Sequence, residues 1–455
     1  MIGSFKYGWF KVDTTTVTSS LFIPFVGSIM TCVLFPETKT AKAVGSNVYG
    51  QLGDGSASGR TSLVSVTSNT TGVLTNISAI YTNAQNTFFL KDDKTIWGVG
   101  NNLHSVLGIG GTLNGVNSKP IQPLTAASMP LVDIIDCKIA SNGYNAYFLT
   151  SNGDVYATGN NAKGQLGNGN TNVYYYAARG SIASVSAIAP GTSCNTVLLR
   201  TGAVWACGYN ASGQLGTGDS TDRSNYTQSR ISTSQVLTGV NMIKSGGSFV
   251  FALSSGSVFS TGTNDYGQLG IGNLANAYYY TRVRQNTGFI TDVKDMILAG
   301  TGSSYFLKND GTVWACGNNV AGQLGIGSIT NSTSAIQMSA EGNIPFSGAK
   351  DIYASFSFVH IVKNDGTVWA CGTNNAGQLG LGDFNNRNLL TQVKINASTY
   401  LTDISYIKNN NMSGGGIYFV KNDGSVYRCG YNAAGQLATG NTINLLYATL
   451  LVASP

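Results

Sequence analysis

One short phrase recurs eight times along this chain, and its most complete copies read Gly-x-Asn-x-x-Gly-Gln-Leu-Gly-x-Gly. The leucines of successive copies are separated by 55, 59, 49, 54, 55, 55 and 58 residues. A period of this size is typical of proteins in which one supersecondary unit buries its apolar face only when neighbouring units stack on it. The repeats therefore predict an array of similar units. The leucines are Leu52, Leu107, Leu166, Leu215, Leu269, Leu324, Leu379 and Leu437.

Each repeat also contains the pattern of a β-hairpin. Three later copies read Lys-Asn-Asp-Gly between two alternating apolar segments, over residues 308–317, 363–372 and 421–430. Asp-Gly supplies the positive φ angles of a tight turn, and alternation with period two indicates strands. A further apolar run precedes each hairpin, as at 293–299, and a looser run precedes that one, as at 278–283. Four short strands and almost no helical periodicity predict the blade of a β-propeller.

We interpret the phrase as the connection that follows the last strand of one blade and leads to the next. Its glycines provide turn conformations, and its asparagine tolerates left-handed backbone geometry while bonding its own backbone. Its leucine is expected to fill the space between adjacent blades, and its glutamine to bond the buried turn. A binding signal is the alternative, but eight equal copies favour a structural role. The asparagines are Asn47, Asn102, Asn161, Asn210, Asn264, Asn319, Asn374 and Asn432.

These motifs resemble the regulator of chromosome condensation repeat family, because Gly-Gln-Leu-Gly recurs in register after a Trp-x-x-Gly strand. The resemblance covers about residues 37–440 and implies an all-β propeller of four-stranded blades. Kelch repeats carry a different signature, and WD-type repeats are shorter, at about 40–45 residues. Seven blades are usual for the family, whereas this chain contains eight copies of the phrase. We adopt eight, with seven as the alternative, and expect one propeller domain over residues 1–455.

The two ends of the chain are expected to close the ring. We predict that N-terminal strands within residues 1–45 pair with a strand in 445–452, forming a composite blade that leaves no open edge. Lys42 stands where the other copies have an aromatic residue, so a separate arm over residues 1–36 is the alternative. A signal peptide fits the apolar run at 21–35 less well, because a long polar stretch that contains Asp13 precedes it. A membrane span fits less well because the run is short and is interrupted by Pro24 and Gly27.

The composition limits the classes of partner. Only 10% of the 455 residues are charged, and the net charge of +6 comes from lysines and arginines without a basic run, so no nucleic-acid partner is predicted. Four of the seven cysteines occupy one repeat position that holds valine or threonine in the other copies. They are therefore interpreted as small core residues rather than as half-cystines. These four are Cys207, Cys316, Cys371 and Cys429.

No pattern of catalytic residues is visible in the sequence. The two histidines, His104 and His360, belong to no metal-ligand or nucleophile spacing, and most acidic residues fall in turns. The Asn-Asp-Gly turns lack the regular acidic positions of a calcium loop. We therefore expect a non-enzymatic protein without catalytic residues, metal or cofactor, although a propeller can assemble a site from distant loops.

Two tyrosine runs and two phrase loops are the candidates for a binding surface. The runs begin five and six residues after the final glycine of their phrases, where strand alternation allows at most two of three tyrosines to be buried on one side. Packing between blades is the plainer interpretation, and the alternative is that some rings anchor a protein or glycan partner. The candidates are Tyr174, Tyr175, Tyr176, Arg223, Tyr226, Tyr278, Tyr279, Tyr280, Phe384, Asn385, Asn386 and Arg387.

The uncharged composition, rich in Asn, Thr, Ser, Gly and Tyr, favours a virion surface protein. It would be a bacteriophage tail or capsid-associated component for host attachment or particle decoration. Its partners would be other virion proteins and a cell-surface protein or glycan, without nucleic acid or membrane insertion. The alternative implied by the resemblance is a regulatory propeller, secreted or cytoplasmic, that binds one protein as an exchange factor or an enzyme inhibitor does. A third candidate, a polysaccharide-degrading propeller, would need a carboxylate cluster on one face.

Overall fold

The computed structural model describes residues 23–26, 29–68, 72–110, 115–140, 142–300, 302–408 and 416–451. Within them, eight sets of four antiparallel strands follow one another along the sequence, and a connecting hairpin extends two of these sheets to six strands. The first strands of neighbouring sheets contact one another around a ring, and the fourth strand lies on the outside. This architecture is an eight-bladed β-propeller, so the predicted all-β fold and the count of eight are confirmed, and the alternative of seven is wrong.

Each blade takes its four strands in chain order. Blade 1 consists of Ile23–Val26, Met30–Phe35, Thr40–Gly45 and Arg60–Ser65, and blade 2 of Ile77–Thr82, Asn86–Lys91, Ile96–Asn101 and Val116–Ile121. Blade 3 consists of Ile134–Ile139, Asn145–Thr150, Val155–Gly159 and Tyr174–Arg179, and blade 4 of Val185–Pro190, Cys194–Leu199, Val204–Gly208 and Arg223–Gln228. Blade 5 consists of Met242–Ser245, Phe249–Ser254, Ser257–Gly262 and Ala277–Arg282, and blade 6 of Val293–Ala299, Ser303–Lys308, Val313–Gly317 and Ser332–Gln337. Blade 7 consists of Ala349–Ala354, Phe358–Lys363, Val368–Gly372 and Arg387–Gln392, and blade 8 of Ile404–Lys408, Gly416–Lys421, Val426–Gly430 and Leu445–Leu450.

Three of the connections between blades form small hairpins of their own. In the connection from blade 5 to blade 6, Gln285 pairs in parallel with Ala335 on the outer strand of blade 6. Ala340 pairs in the same way with Leu390 of blade 7. Such pairing covers part of an outer edge that would otherwise be open to other chains. The hairpin strands are Leu124–Ala126 with Met129–Pro130, Arg284–Gln285 with Gly288–Phe289, and Ser339–Ala340 with Ile344–Pro345, and a 3-10 turn occupies Glu341–Asn343.

The Asp-Gly turns join the second and third strands, as the hairpin pattern predicted. In blade 6 only the glycine of the Asp-Gly pair has a positive φ: Gly311 has a φ of 78°, whereas Asp310 has a negative φ. Asp310 instead uses Oδ1 to accept the backbone N–H of Thr312 at 2.8 Å. The turn therefore needs the aspartate for its side chain and the glycine for its backbone.

The position of the phrase corrects the sequence analysis. The phrase lies between the third and fourth strands of one blade, as between Val313–Gly317 and Ser332–Gln337, and does not follow the last strand. The looser apolar run is accordingly the fourth strand of the preceding sheet, since Phe259 pairs with Arg282 in blade 5. A period alone does not reveal which strand is the first of a unit, so the predicted repeat was displaced by one strand.

The predicted composite closing blade does not form, again because the repeat was displaced by one strand. Leu445–Leu450 pairs with Val426–Gly430 in blade 8, whereas the N-terminal strands pair with one another in blade 1. The two terminal blades meet by packing, with Val33 in one apolar cluster with Tyr418. The N- and C-terminal strands thus close the ring, as predicted, but they do so as two separate complete blades that pack against each other. Residues 1–22, the larger part of the predicted arm, and residues 452–455 lie outside the described residues.

Side chains of the phrase hold its loop together. In all eight copies the asparagine Oδ1 accepts the backbone N–H of the leucine five residues later, at 2.8–3.1 Å. The bonding predicted for the asparagine is therefore confirmed, but none of these asparagines has the positive φ that was predicted with it. The glutamine accepts the N–H two residues before it, as in Ala321 to Gln323 at 2.9 Å.

The final glycine of every phrase joins its blade to the next one. Its backbone N–H donates to a carbonyl oxygen on the outer strand of the following blade at 2.8–3.0 Å, and the eighth of these bonds runs from blade 8 to blade 1. The eight bonds therefore form a closed circle. The pairs are Gly55–Ser118, Gly110–Tyr175, Gly169–Ser224, Gly218–Tyr278, Gly272–Thr333, Gly327–Asn388, Gly382–Leu446 and Gly440–Thr61.

The phrase leucine fills the space between blades, as predicted. All eight leucines are fully buried. Leu324 of blade 6, for example, shares one apolar cluster with Tyr305 of its own blade and with Ile352 and Ile361 of blade 7. The cysteines near this position are also core residues, and the thiol of Cys371 donates to the carbonyl oxygen of Gln323 in the preceding blade at 3.5 Å. All seven cysteines are buried and free.

Truncation of one phrase leucine tests this role. We expect Leu324→Ala to lower the free energy of unfolding by about 2–5 kcal/mol, because it removes a buried side chain and leaves a cavity between two blades. Val320→Ala in the same phrase is the matched control, since Val320 is 67% exposed and its truncation should cost less than about 0.5 kcal/mol. Urea denaturation followed by tryptophan fluorescence measures both, and equal effects would contradict a space-filling role for Leu324.

Candidate protein-binding face

The two ends of the propeller carry different loops. Because neighbouring strands are antiparallel, the phrases and the loops between first and second strands lie at one end, which we call the phrase face. The Asp-Gly turns and the connections between blades lie at the other end, which we call the hairpin face. The eight phrases thus give the phrase face a repeated, hydrogen-bonded framework.

Exposed large apolar side chains are concentrated on the phrase face. Of the twenty in the described residues, thirteen lie there. The most exposed of these thirteen are Ile443, Val320 and Ile329, at 69%, 67% and 63%. Repeated exposure of apolar side chains on one face is typical of a surface that another molecule covers. The thirteen are Val48, Leu103, Val116, Tyr144, Val173, Tyr175, Tyr266, Leu274, Tyr278, Val320, Ile329, Phe384 and Ile443.

Two candidate tyrosines are buried. Tyr226 and Tyr280 each occupy the fourth position of an outer strand, which faces the preceding blade, and they are 6% and 2% exposed. The Tyr226 hydroxyl accepts a hydrogen bond from Nδ2 of Asn195 at 2.7 Å. The prediction that these two residues belong to a binding surface is therefore wrong, and the packing interpretation holds for them.

The other five tyrosines lie at the start of their outer strands, on the phrase face. Tyr175 and Tyr278 are exposed, whereas Tyr174, Tyr176 and Tyr279 are half-buried. The Tyr176 ring lies against Gly110 and the Tyr279 ring against Gly218, so closely that a Cβ atom at either glycine would come within 2.5 Å of the ring. Tyr176 and Tyr279 thus pack on the preceding phrase, and the Tyr174 hydroxyl accepts a hydrogen bond from Nδ2 of Asn170 at 3.1 Å. The exposed tyrosines remain candidate contacts for a partner.

The candidate arginines brace their own loops. Arg387 forms an ion pair with Asp383 at 2.6 Å and donates to the carbonyl oxygen of Asn385 at 2.7 Å. Burial alone would raise the pKa of Asp383, but the bonds from Arg387 and from the N–H of Asn385 outweigh it and hold the pKa below its usual range. Arg223 forms the equivalent pair with Asp219 at 2.6 Å.

The loop held in this way presents Phe384. Its side chain is 56% exposed at the tip of the blade 7 phrase loop. The neighbouring Asn386 accepts the N–H of Asn374 at 2.8 Å, so it supports the loop, and Asn385 is exposed beside it. Phe384 and Asn385 are therefore available for contact, whereas Asn386 and Arg387 fix the backbone behind them.

Sequence reasoning missed several residues of this face. His104, which was interpreted only as a loop residue, stacks against Tyr144 with ring centroids 4.1 Å apart. Val48, Leu103 and Val320 all follow the phrase asparagine directly, so their shared repeat position was a signal available in the sequence. The signal was not recognised because apolar residues in a repeat suggest core, and only the loop geometry shows that this position faces outward.

A second group of missed residues lines the innermost strands. Aspartates occupy the third position of three first strands, and in three first strands a lysine pairs with the third residue of the second strand. The pair within blade 3 is direct, with Lys138 Nζ 2.9 Å from Asp136 Oδ1. Burial lowers the pKa of Lys244 to about 8, while Asp295 acts in the opposite direction. The residues are Asp136, Asp295 and Asp351, and Lys138, Lys244 and Lys408.

The described residues contain no group of three His, Cys, Asp or Glu side chains that could hold a metal ion. His360 is fully buried among aromatic rings, and burial lowers its pKa to about 3, so it stays neutral. None of the residues described belongs to a helix with the length and apolarity needed to cross a membrane.

Comparisons with known proteins agree with this architecture. The profile of the regulator of chromosome condensation (RCC1) repeat matches residues 201–253 and 365–406, and a second profile of the same repeat matches 137–165. These segments match the regulator of chromosome condensation repeat. The resemblance predicted from the phrase is therefore confirmed, and the matched segments 201–253 and 365–406 each begin just before the third strand of one blade and run through the phrase and the fourth strand into the next blade.

Similar proteins include the ultraviolet-B receptor UVR8 of Arabidopsis thaliana, which is 26% identical over 208 residues, or 45% of this chain and 44% of UVR8. The secretion-regulating guanine nucleotide exchange factor of Bos taurus is 27% identical over 130 residues, or 28% and 26% of the two chains. The crystal structure of Prp20p from Saccharomyces cerevisiae has a TM-score of 0.56 at 18% identity and covers 84% of this chain and 88% of its own. That identity shows the fold alone, and the sequence matches span less than half of each relative.

The neutral state of His360 predicts a pH dependence of stability. The folded pKa near 3 lies below the ordinary value of 6.5, so the unfolded chain binds more protons between these values and stability falls as the pH decreases through this range. We expect about 3 kcal/mol of stability to be lost at this site between pH 7 and pH 4. Denaturant titrations at several pH values measure the loss.

His360→Phe is the matched variant for this prediction. Phe88 and Phe251 occupy the same register position in blades 2 and 5, so the ring is accommodated by this fold. The variant should show a shallower loss of stability between pH 7 and pH 4 than the wild-type chain. Identical pH profiles would show that His360 is not held neutral.

Proposed function

We propose that this chain is a non-enzymatic regulatory propeller that binds a protein partner through its phrase face. The observation that carries the proposal is the concentration of exposed apolar side chains on that face. Protein interfaces bury such side chains at their centre and surround them with polar groups. The phrase loops supply that polar surround from uncharged residues such as Asn385 and Asn386.

The chemistry of the face limits what partner it fits. Arg223 and Arg387 are neutralised by aspartates of their own loops, so they add little net charge. The matching surface of the partner should therefore be apolar with uncharged hydrogen-bonding groups around it. Phe384 projects from a braced loop, and a side chain held in advance loses less conformational entropy on binding than one on a mobile loop. Phe384 is thus the strongest candidate for a dominant contact.

The similar proteins support binding rather than a particular activity. UVR8 is a receptor, the Bos taurus protein is a guanine nucleotide exchange factor, and Prp20p has been studied for its binding to Gsp1p and histones. These names favour a regulatory, protein-binding role for this chain. Whether it acts as an exchange factor or as an inhibitor does not follow from the fold.

The virion-surface function favoured by composition gains no support from these relatives, because a receptor and an exchange factor are not virion components. A glycan partner and partners from a virion gain none either. Localisation at a virion surface, with secretion or the cytoplasm as alternatives, stays a prediction from composition. The regulatory alternative stated with it is the function that we now prefer.

Paired substitutions on the two faces test the proposal. The phrase-face variant carries Val320→Asp and Phe384→Asp, and the control variant carries Met129→Asp and Ile344→Asp on the hairpin face, where both residues are also exposed. We expect the wild-type chain and the control to recover the same stoichiometric protein from cells of the source organism. The phrase-face variant should recover at least about tenfold less, since burying a new charge disfavours binding. Quantitative mass spectrometry of the bound fraction gives the ratio.

Two results would count against this function. Equal recovery by the phrase-face variant, with an unchanged melting temperature, would show that the partner binds elsewhere. Stoichiometric recovery of capsid or tail proteins alone would instead support the virion-surface function. Thermal unfolding of each variant shows whether a loss of binding reflects a loss of fold.

A further inference from the structure

A cavity of about 500 Å³ opens on the outer rim of blade 5. Its walls include Ile231 from the preceding connection, Phe259 from the third strand and Tyr280 from the outer strand. The Tyr280 side chain is buried, and its hydroxyl has no hydrogen-bond partner among the described residues. The rest of the lining comes from Ile271 and Asn273 in the phrase loop of blade 5, from the end of the outer strand and from the hairpin 284–289 that leads to blade 6.

Two arginines flank one exposed aromatic ring at this cavity. The guanidinium carbon of Arg282 lies 4.4 Å from the centroid of the Phe289 ring, and that of Arg284 lies 5.6 Å from it. Arg282 donates to the Ser257 hydroxyl at 3.3 Å, while its Nε is buried without a hydrogen-bond partner. Stacking on Phe289 positions both guanidinium groups, so their remaining donors are held near the cavity.

Neither arginine is neutralised by the described part of the chain. The arginines at 60, 179, 223 and 387 form ion pairs with aspartates, but no carboxylate of the described residues lies within 4.0 Å of Arg282 or Arg284. Two unneutralised guanidinium groups beside a partly apolar cavity fit a ligand that combines carboxylates with an apolar side chain. A nucleic acid would require a longer track of cations, and only two are present at this cavity.

We propose that the rim cavity of blade 5 binds a short acidic peptide segment of a protein partner, with carboxylates on Arg282 and Arg284 and an apolar side chain against Ile231 and Phe259. The hairpin 284–289 is anchored for this task, because Gln285 pairs with Ala335 of blade 6 and fixes the strand that carries Arg284. The site shares Ile271 and Asn273 with the phrase loop of blade 5 but includes none of the thirteen exposed apolar residues of the phrase face. Binding here does not depend on the function proposed for that face.

A defined probe tests the proposal directly. It is a fluorescein-labelled ten-residue peptide with four glutamates around one leucine, compared with a peptide in which glutamines replace the glutamates. We expect the acidic peptide to bind the full chain at least about tenfold more tightly in low salt, because charge-assisted bonds are stronger than neutral ones. Fluorescence anisotropy measures both affinities.

Matched variants locate the binding. Arg284→Gln removes one exposed guanidinium and should weaken acidic-peptide binding about tenfold. Arg200→Gln removes the same charge from an exposed position elsewhere and should leave it unchanged. The phrase-face variant Val320→Asp, Phe384→Asp should also bind the probe normally, which separates this proposal from the proposed function.

Three outcomes would overturn the proposal. Equal affinities for the acidic and neutral peptides would show that the carboxylates do not contribute to binding. Equal weakening by Arg284→Gln and Arg200→Gln would indicate attraction to net charge rather than a site. Displacement of the peptide by millimolar inorganic phosphate, with the same phosphate affinity in Phe289→Ala, would indicate a small-anion site and no peptide groove.

Discussion

Each blade of this propeller is tied to the next by a backbone hydrogen bond from the final glycine of the phrase to the following outer strand. One such bond contributes only about 0.5–1.5 kcal/mol, but it is made in the same place eight times and the last one joins blade 8 to blade 1. The asparagine and leucine of the phrase position the loop so that this bond can form. Asn432 fixes the loop from within, and Leu437 packs beneath it, so Gly440 reaches Thr61.

This construction explains why one end of the molecule is available for binding. The asparagine and glutamine side-chain oxygens accept backbone N–H groups of the phrase, so the residues between them are free to vary. Val320 occupies such a position in one copy and Ala211 in another. The framework is therefore repeated while the surface is not, and a repeated scaffold with varied loops is how propellers acquire specific partners.

The sequence predicted the fold because the phrase is structural in every copy. Leu324 and Asn319 have roles that follow from residue type and recurrence, so their burial and bonding could be inferred. The composite blade could not be corrected from sequence, because a period is the same whichever strand begins the unit. Pairing of Leu445–Leu450 within blade 8 is a property of the folded sheet alone.

The candidate site was predictable only in part, for a reason visible in the outer strands. Tyr175 is exposed and Tyr226 is buried because they occupy the second and fourth positions of equivalent strands. The fourth position is also buried in blade 7, at Leu390. Tyrosine suits both environments, so its presence alone does not indicate exposure. Arg282 and Phe289 were missed because they come together only through the hairpin between blades 5 and 6.

Hydrogen exchange across the eight phrases is the most direct test of a ring closed by these bonds. Mass spectrometry of peptides that each span one phrase reports how often its loop opens. A closed ring predicts slow exchange in all eight, including the peptide with Gly440, and faster exchange in blades 8 and 1 together after Leu437→Ala. Exchange of residues 432–440 at the rate of an unstructured peptide, with the other seven phrases protected, would contradict closure between blades 8 and 1.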